Sequence, residues 1–487
     1  LVSAAALSFS SCSNNDDLTG GGTQSQADGV YMTLKISGAT SHGTRTSVTD
    51  GKTTTDNGSV AESTITEGMM YIYDGPTCVF RKVITKDMFE TAPTQTTSGV
   101  TKPIKVAVTG AITTGKKYDV YFLANRTNVD NPIAATSIFT STTGGADFAT
   151  DNKFVMFNQN DGTKAAAHSK VEFTDAAKSD KSPAAADEIK LDRVVARIDN
   201  PSFDESVKTV TPAENTTTSI NVADVVEGIS YEGFAVSNLN NNSYVMQNWD
   251  TNFKTLNVKW GEPKYSLPKS DYGTLYNAAG LVNFSSKENP VSWKYAFENT
   301  TTDVNDATAV YFKVKVALTE TANNASDFKD GTFYRYDGRL YTSIQAIYND
   351  AATGAISNPF TETSSITPAD VVAKISDADG KLTTDEAKLA QFRQDYKIEV
   401  YRQGVMYYRW AISDNAYKPF IASETTHTYS VLRNSIYRLK VTKVSEIGKD
   451  VPNGPEPDDP VKNPNFYMNV TVSINPWVLN AQPIELK

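Results

Sequence analysis

Histidine and cysteine are scarce in this chain, with three His and two Cys in 487 residues. His42, His168 and His427 stand far apart in Thr- and Ser-rich surroundings, so none has a neighbour at metal-site spacing. No HExxH, GxSxG or phosphate-loop pattern occurs, which leaves metallohydrolase, serine-hydrolase and nucleotide chemistry without a foothold. The residues point to no enzyme, no metal and no cofactor. Among 56 acidic residues a carboxylate pair for glycoside hydrolysis can be drawn anywhere, so it identifies nothing. Basic charge is in deficit too. A net charge of −10 offers no cationic face to neutralise phosphates, which argues against nucleic acid as a partner. Beyond the first dozen residues, no apolar run nears the ~20 residues that a membrane helix needs.

What is abundant is Thr, Asn, Ser, Tyr and Val, which favour strands and turns. The length suffices for two or three domains. "GVYMTLKISG" sets Val30, Met32, Leu34 and Ile36 on one face of a first strand. The stretch from Ala39 to Thr64 has almost nothing apolar and reads as an exposed, mobile loop containing Arg45. Strand-like runs separated by turns follow, among them "GMMYIYD", "TCVFRKVIT", "YDVYFLAN" and "EIKLDRVVARID". After Asn200 the chain turns polar, a candidate boundary. A second β-rich region then runs through "AVYFKVKVALTE", "YKIEVYRQGVMYYRWAI" and "NSIYRLKVTKVSEIG". One helix is expected at "TTDEAKLAQFRQ", capped by Thr383 with Glu386 completing a capping box. "GKKYDVYF" and "NSIYRLKV" share a turn residue followed three positions later by Tyr, a faint echo between the halves.

Two near-misses read as structure. Asp377, Asp379, Gly380 and Glu386 fit a calcium loop at four positions, but Ile375 occupies the first ligand position, so a turn and a helix are expected. Tyr407, Tyr408 and Trp410 could stack on a sugar, but their position in a strand assigns them to a core. Cys78, in an apolar run, reads as a buried structural thiol.

The two ends carry the sharper signals. "LVSAAALSFSSC" is a run of small and apolar residues ending at Cys12 and resembles a signal peptide with a bacterial lipobox. Cys12 would then be lipidated, and Asp16 and Asp17 resemble a surface-export signal of Bacteroidetes lipoproteins. At the other end, Phe466, Met468, Val470, Val472 and Ile474 alternate with polar residues and lead to "NPW" at Trp477. This strand follows a proline- and acid-rich tether. Either it folds back as an edge strand or it serves another molecule.

Taken together, Cys12, the first strand before an Arg45 loop, "LDRVVARID", "RNSIY" at Arg433–Tyr437 and "VTVSINPW" at Val470–Trp477 resemble the type V pilus subunits of Bacteroidales, the fimbrillins. The stalk-forming subunits of short fimbriae are the nearest likeness. The resemblance implies an all-β fold of two tandem transthyretin-like β-sandwiches with an extended C-terminal donor strand. It implies a signal-peptide remnant (1–11), a lipidated tether (12–28) and an N-terminal domain (29–205) with its first strand at 29–37 and cleavage loop at 38–64. A C-terminal domain (206–449), an acidic Pro-rich linker (450–465) and a donor strand (466–487) complete the chain. By that resemblance a trypsin-like, Arg-specific protease cuts between Arg45 and Thr46. The placeholder strand (Val30, Met32, Leu34, Ile36) departs, and the donor strand (Phe466, Met468, Val470, Val472, Ile474, Trp477) of an identical subunit replaces it. The expected setting is the cell surface and outer membrane of a Gram-negative bacterium, reached through the lipid anchor alone. Accessory tip and anchor proteins are the further partners, with adhesion and biofilm formation the outcome. A tip or anchor subunit, or a surface glycan-binding lipoprotein, is the alternative.

Overall fold

In a computed structural model of the chain, the described residues are 29–38, 56–57, 59–90, 103–160, 169–203, 225–248, 291–301, 304, 306–360, 366–414, 429–444, 447–451 and 468–478. The structure is mainly β. A first core is built on two sheets. The larger runs in the order β2 (Ile36–Gly38), β12 (Ile189–Arg193), β9 (Met156–Asn158), β7 (Lys117–Ala124), β4 (Gly68–Asp74) and β5 (Thr77–Ile84), with β10 (Ser169–Glu172) beside β7. The smaller has β1 (Val30–Leu34) between β11 (Ala184–Ala185) and β6 (Ile104–Val108). In β6, Ile104, Val106 and Val108 are buried while Lys105 and Ala107 face out, the period-two pattern of a sheet with one wet face.

A second core lies under another pair of sheets. One runs β17 (Trp293–Ala296), β13 (Ala196–Asp199), β25 (Ser435–Val444), β26 (Met468–Val478) and β3 (Asp56–Asn57), with β14 (Ser202–Phe203) beside β25. The other runs β15 (Val226–Ser237), β19 (Ala309–Leu318) and β23 (Val405–Ala411). Phe234, Phe312, Val314, Met406, Tyr437, Leu439 and Val441 are among the side chains this core buries. Two short pairs, β8 (Ile138–Thr140) with β16 (Asn242–Tyr244) and β18 (Asn299–Thr301) with β24 (Tyr429–Val431), lie outside these sheets.

"EIKLDRVVARID" reads as one strand but forms two. Val194 and Val195 belong to the first core, and Ala196 and Ile198 to the second, so the chain changes cores between consecutive residues. Hydrophobic patterning is the same on both sides of that step, which is why the break is invisible to it.

Between β19 and β23 sits an inserted module with its own core. Its strands are β20 (Phe333–Tyr336), β21 (Arg339–Tyr341) and β22 (Glu399–Tyr401). Asp337 and Gly338 close the β20–β21 hairpin with φ of 48° and 74°, as a tight two-residue turn requires. Helices Ile344–Ala352, Pro368–Lys374 and Glu386–Tyr396 bury Ile347, Val371, Leu389 and Phe392. Only the last helix is expected from the sequence, and its cap is corrected. Asp385 accepts from Ala387 N and Lys388 N, while the Thr383 hydroxyl accepts from Asp385 N at 3.1 Å. A carboxylate nearer the helix end binds two orphan amides and outcompetes the hydroxyl.

The echo between the halves has a common geometry. Gly115 and Asn434 both take positive φ, 83° and 55°. Three residues on, the hydroxyls of Tyr118 and Tyr437 each accept a backbone N–H from five residues upstream, Thr113 and Leu432, both at 2.8 Å. Tyr437 also donates to Asp414 Oδ2 at 2.7 Å. Tyr437→Phe removes a hydroxyl that bonds both Leu432 N and Asp414 Oδ2 and should cost about 2 kcal/mol, against about 1 kcal/mol for Tyr118→Phe. Urea unfolding of the two variants measures this difference.

Candidate functional site

The first strand is held as the middle strand of its sheet. β1 runs antiparallel to β6, from Val30 opposite Val108 to Leu34 opposite Ile104, and parallel to β11, with Met32 opposite Ala184. Past Lys35 the chain steps into the larger sheet, where Ile36 of β2 lies opposite Ile189 of β12. Bonds from Ala186 N to Thr33 O (3.1 Å) and from Ile189 N to Lys35 O (2.9 Å) bridge that step. Val30, Met32, Leu34 and Ile36 are 6, 0, 0 and 0% exposed within the first core. At ~1.5–3 kcal/mol each, their burial contributes roughly 6–12 kcal/mol as an upper estimate. Among the described residues, neither β6 nor β11 has another partner in that sheet. Removing β1 opens a slot with an antiparallel edge on one side and a parallel edge on the other. Both edges are templates for an incoming strand.

The C-terminal strand lies on its own chain. β26 runs antiparallel to β25, with Val470, Val472 and Ile474 opposite Val441, Leu439 and Tyr437, three members of the second core. At its far end Trp477 and Val478 pair in parallel with Asp56 and Asn57 of β3. In the single chain this strand therefore takes the fold-back position that its alternation also allows. The physical reason is that β25 otherwise presents an open edge, and the nearest alternating strand covers it.

The residues just after the Arg45 stretch are also corrected. Expected as exposed loop through Thr64, they instead include a turn of helix, Val60–Ser63, capped by Ser59, with Glu62, Ser63 and Thr64 buried. Glu62 is fully buried. Its carboxylate accepts from Arg197 Nη1 (3.1 Å) and the Tyr295 hydroxyl (3.1 Å), and closes a capping box with Ser59 N (2.7 Å). Composition marks these residues as polar but does not show that each has a partner.

The same cluster joins the two quoted motifs. Arg193, fully buried, donates from Nε to Glu62 O (2.9 Å) and from Nη1 to Asn434 Oδ1 (3.3 Å). Asn434 in turn donates from Nδ2 to Asp192 Oδ1 (2.7 Å) and from its backbone N to Val195 O (2.9 Å). Burial pulls the Arg193 guanidinium down to about 9, a shift the nearby Glu62 carboxylate opposes, so it remains charged at neutral pH. Arg433, also buried, pairs with Glu298 (Nε to Oε2, 2.8 Å) and donates to Val245 O (2.9 Å) and Tyr244 O (2.7 Å). "LDRVVARID" and "RNSIY" thus form one polar joint between the two cores. Arg433→Ala would leave Glu298 buried without its cation, at a cost of ~3–5 kcal/mol. A fall of about 10 °C in melting temperature is expected, read by calorimetry.

Other expected positions are placed as follows. Tyr408 is buried in the second core, Trp410 packs half-buried against it, and Tyr407 is half-buried, so the core assignment holds for the pair on one face. Asp377 Oδ1 accepts from Asp379 N and Lys381 N, both at 2.9 Å, as a turn does. No cluster able to hold a metal occurs among the described residues. Cys78, expected buried, is half-buried; its Sγ lies 3.5 Å from Phe80 O and it packs against the first core. Cys12, His42, Arg45, Thr46, His168, His427 and Phe466 lie outside the described residues.

Comparison with known proteins gives one family match. Residues 399–483 match the family model described as "Major fimbrial subunit protein type IV, Fimbrillin, C-terminal". No curated protein matches the chain. Among solved structures, a fimbrilin from Porphyromonas gingivalis W83 is 16% identical, with a TM-score of 0.40 over 93% of this chain and 99% of that one. A putative cell adhesion protein from Parabacteroides distasonis ATCC 8503 is 11% identical, with a TM-score of 0.46 over 93% and 100%. The tip fimbrial protein Mfa3 from Porphyromonas gingivalis, with C-terminal truncation, is 10% identical, with a TM-score of 0.34 over 92% and 100%. The segment 399–483, which is similar to the fimbrillin C-terminal family, includes both β25 and the β26 strand laid along it.

Proposed function

We propose that this chain is a structural subunit of a cell-surface fimbria, polymerised by donor-strand exchange. In this reading it is exported as a lipoprotein on Cys12 and cut between Arg45 and Thr46 by a trypsin-like protease. β1 and β2 then leave, and the C-terminal strand of an identical subunit enters the slot. Accessory tip and anchor proteins complete the fibre, which serves adhesion and biofilm formation.

One observation carries the reading: β1 is the middle strand between β6 and β11, and its apolar face is fully buried. An emptied slot of that kind needs a strand, because only a strand satisfies two backbone edges and an apolar trough together. Cutting supplies the trigger. While covalently tied, β1 competes for its slot at an effective concentration of about millimolar. After the cut, the released fragment is diluted into bulk and lost. β26 then exchanges its pairing with β25 for a place between two strands, and the added edge favours transfer.

Purified chain treated with trypsin should form filaments visible by electron microscopy. Mass spectrometry of their subunits should give an N-terminus at Thr46. Filaments whose subunits retain Ser13–Arg45 as one continuous chain would contradict the processing.

A further inference from the structure

Between β25 and the proline-rich stretch lie Ile447–Val451, and the first four of these residues are each fastened to the fold. Arg335 on β20 donates from Nη1 to Ile447 O at 3.0 Å. The buried Tyr401 hydroxyl, at the end of β22, donates to Gly448 O at 2.8 Å. Lys449 exchanges both backbone bonds with Tyr407 on β23, at 2.8 and 2.9 Å. Asp450 Oδ2 accepts from Val400 N at 2.8 Å and from Arg393 Nε. Those two charged side chains are 2 and 4% exposed. Arg393, from the helix Glu386–Tyr396, also donates from Nη2 to Val400 O at 3.0 Å. Gly448 fits so closely that a Cβ there would stand 2.5 Å from Tyr407 O.

Four of the five partners, Arg335, Arg393, Val400 and Tyr401, belong to the inserted module. A connection at the surface ordinarily leaves its backbone to water. A buried ion pair is a poor way to add stability, since desolvation offsets the attraction, but it specifies one arrangement. We propose that the inserted module is the mooring of the C-terminal tail, with Arg393 as the positioning residue that fixes where the tail leaves the domain. This rests on the fimbrial reading. In a fibre, tension on an inserted tail arrives at Val451. Without the mooring it would reach the end of β25 and peel that strand from its neighbours one bond at a time. With it, the bonds at residues 447–450 share the load and must break together, which slows forced rupture.

The test uses the full chain with Arg393→Met and Asp450→Leu together, so that neither charge is left buried alone. Hydrogen exchange on the uncut monomer should show the amides of 448–451 at least tenfold faster than wild-type. Exchange in β25 should be unchanged and the melting temperature within about 3 °C of wild-type. After trypsin, fibres should form at wild-type length, then break at least threefold shorter under identical sonication. Arg393→Lys, which keeps the cation but not its paired geometry, should fall between the two and serves if the double variant does not fold. Unchanged exchange at 448–451 overturns the mooring. Faster exchange with unchanged breakage overturns load-bearing. If wild-type chain makes no fibres, the fimbrial reading fails and load-bearing with it, whereas the exchange arm still decides whether Arg393 holds the tail.

Discussion

Deletion of Phe466–Lys487 should abolish polymerisation and leave a soluble, folded monomer. The deleted segment contains β26, which pairs along one edge of β25 and touches β3 at only two register positions. β25 keeps β13 and β14 on its other side, and Tyr437, Leu439 and Val441 keep their places in the second core. The loss is that of a strand with one long partner and a two-residue one, a few kcal/mol, and the melting temperature should fall by several degrees without collapse. Polymer yield after trypsin should fall to nothing, because no strand remains to enter a neighbour's slot. A subtler variant isolates the donor role. Val472→Asp places a carboxylate at mid-strand, opposite Leu439 in the folded-back state and, under the proposed exchange, inside the first core of a neighbour. Burying it unpaired costs several kcal/mol. The variant's own slot is intact, so it should still accept a wild-type strand and stop growth there. Equimolar mixing should shorten fibres severalfold, measured by electron microscopy. Unchanged length would show that the tail is not the donor.

Much of this arrangement is legible in the residues. The alternation at Val30–Ile36 and Phe466–Ile474 marks two strands of matching apolar faces, and the structure builds strands at 30–34, 36–38 and 468–478. Lys86–Glu90, Ile344–Ala352 and Pro368–Lys374 are helices the periodicity does not announce, although Thr367, Pro368 and Asp370 form a readable capping box. The short helices turn only part of an apolar face inward, so their pattern is weak. Long-range pairing is the part that stays hidden. Nothing local tells that Ala184–Ala185 forms the second wall of the slot, that Glu62 meets Arg197, or that Asp450 meets Arg393. Each is a polar or small residue whose partner is distant in sequence, and such pairs have no period to read. The fold-back of β26 belongs to the same class, since an alternating strand carries no mark of whose sheet it joins.

Replacing Arg45 and Lys52 together with Ala should give a monomer of normal stability that stays monomeric in trypsin. Arg45 is the only Lys or Arg between Lys35 and Lys52. Lys35 lies at the step between β1 and β2, where its carbonyl accepts from Ile189 N, so a protease cannot readily seat that peptide bond. Without a cut, β1 remains tied to its slot and an incoming strand competes against a partner at about millimolar effective concentration. Wild-type and variant should melt alike before protease. After protease the wild-type should convert to high-mass polymer on non-denaturing gels while the double variant stays at monomer mass. Normal polymer from the double variant would remove cleavage as the trigger. Polymer from Arg45→Ala alone, lost when Lys52 is added, would move the cut without changing the account.

The central claim is that the C-terminal strand changes partners, from its own β25 to a neighbour's slot. Cysteine trapping reads this directly in a Cys78→Ser background. Val472→Cys with Leu439→Cys reports the folded-back state, since directly opposed positions lie within disulfide reach. Val472→Cys combined in turn with Ile104→Cys, Val106→Cys or Val108→Cys on β6 reports the slot. Before trypsin, oxidation should close the 472–439 pair within one chain and leave the β6 pairs open. When the chain is instead kept reduced through trypsin and assembly and oxidised only afterwards, the 472–439 bond should not form. At least one β6 pair should then give a ladder of covalently joined subunits on non-reducing gels. A 472–439 bond that persists within single chains of assembled fibres, with no ladder from any β6 position, would contradict the account.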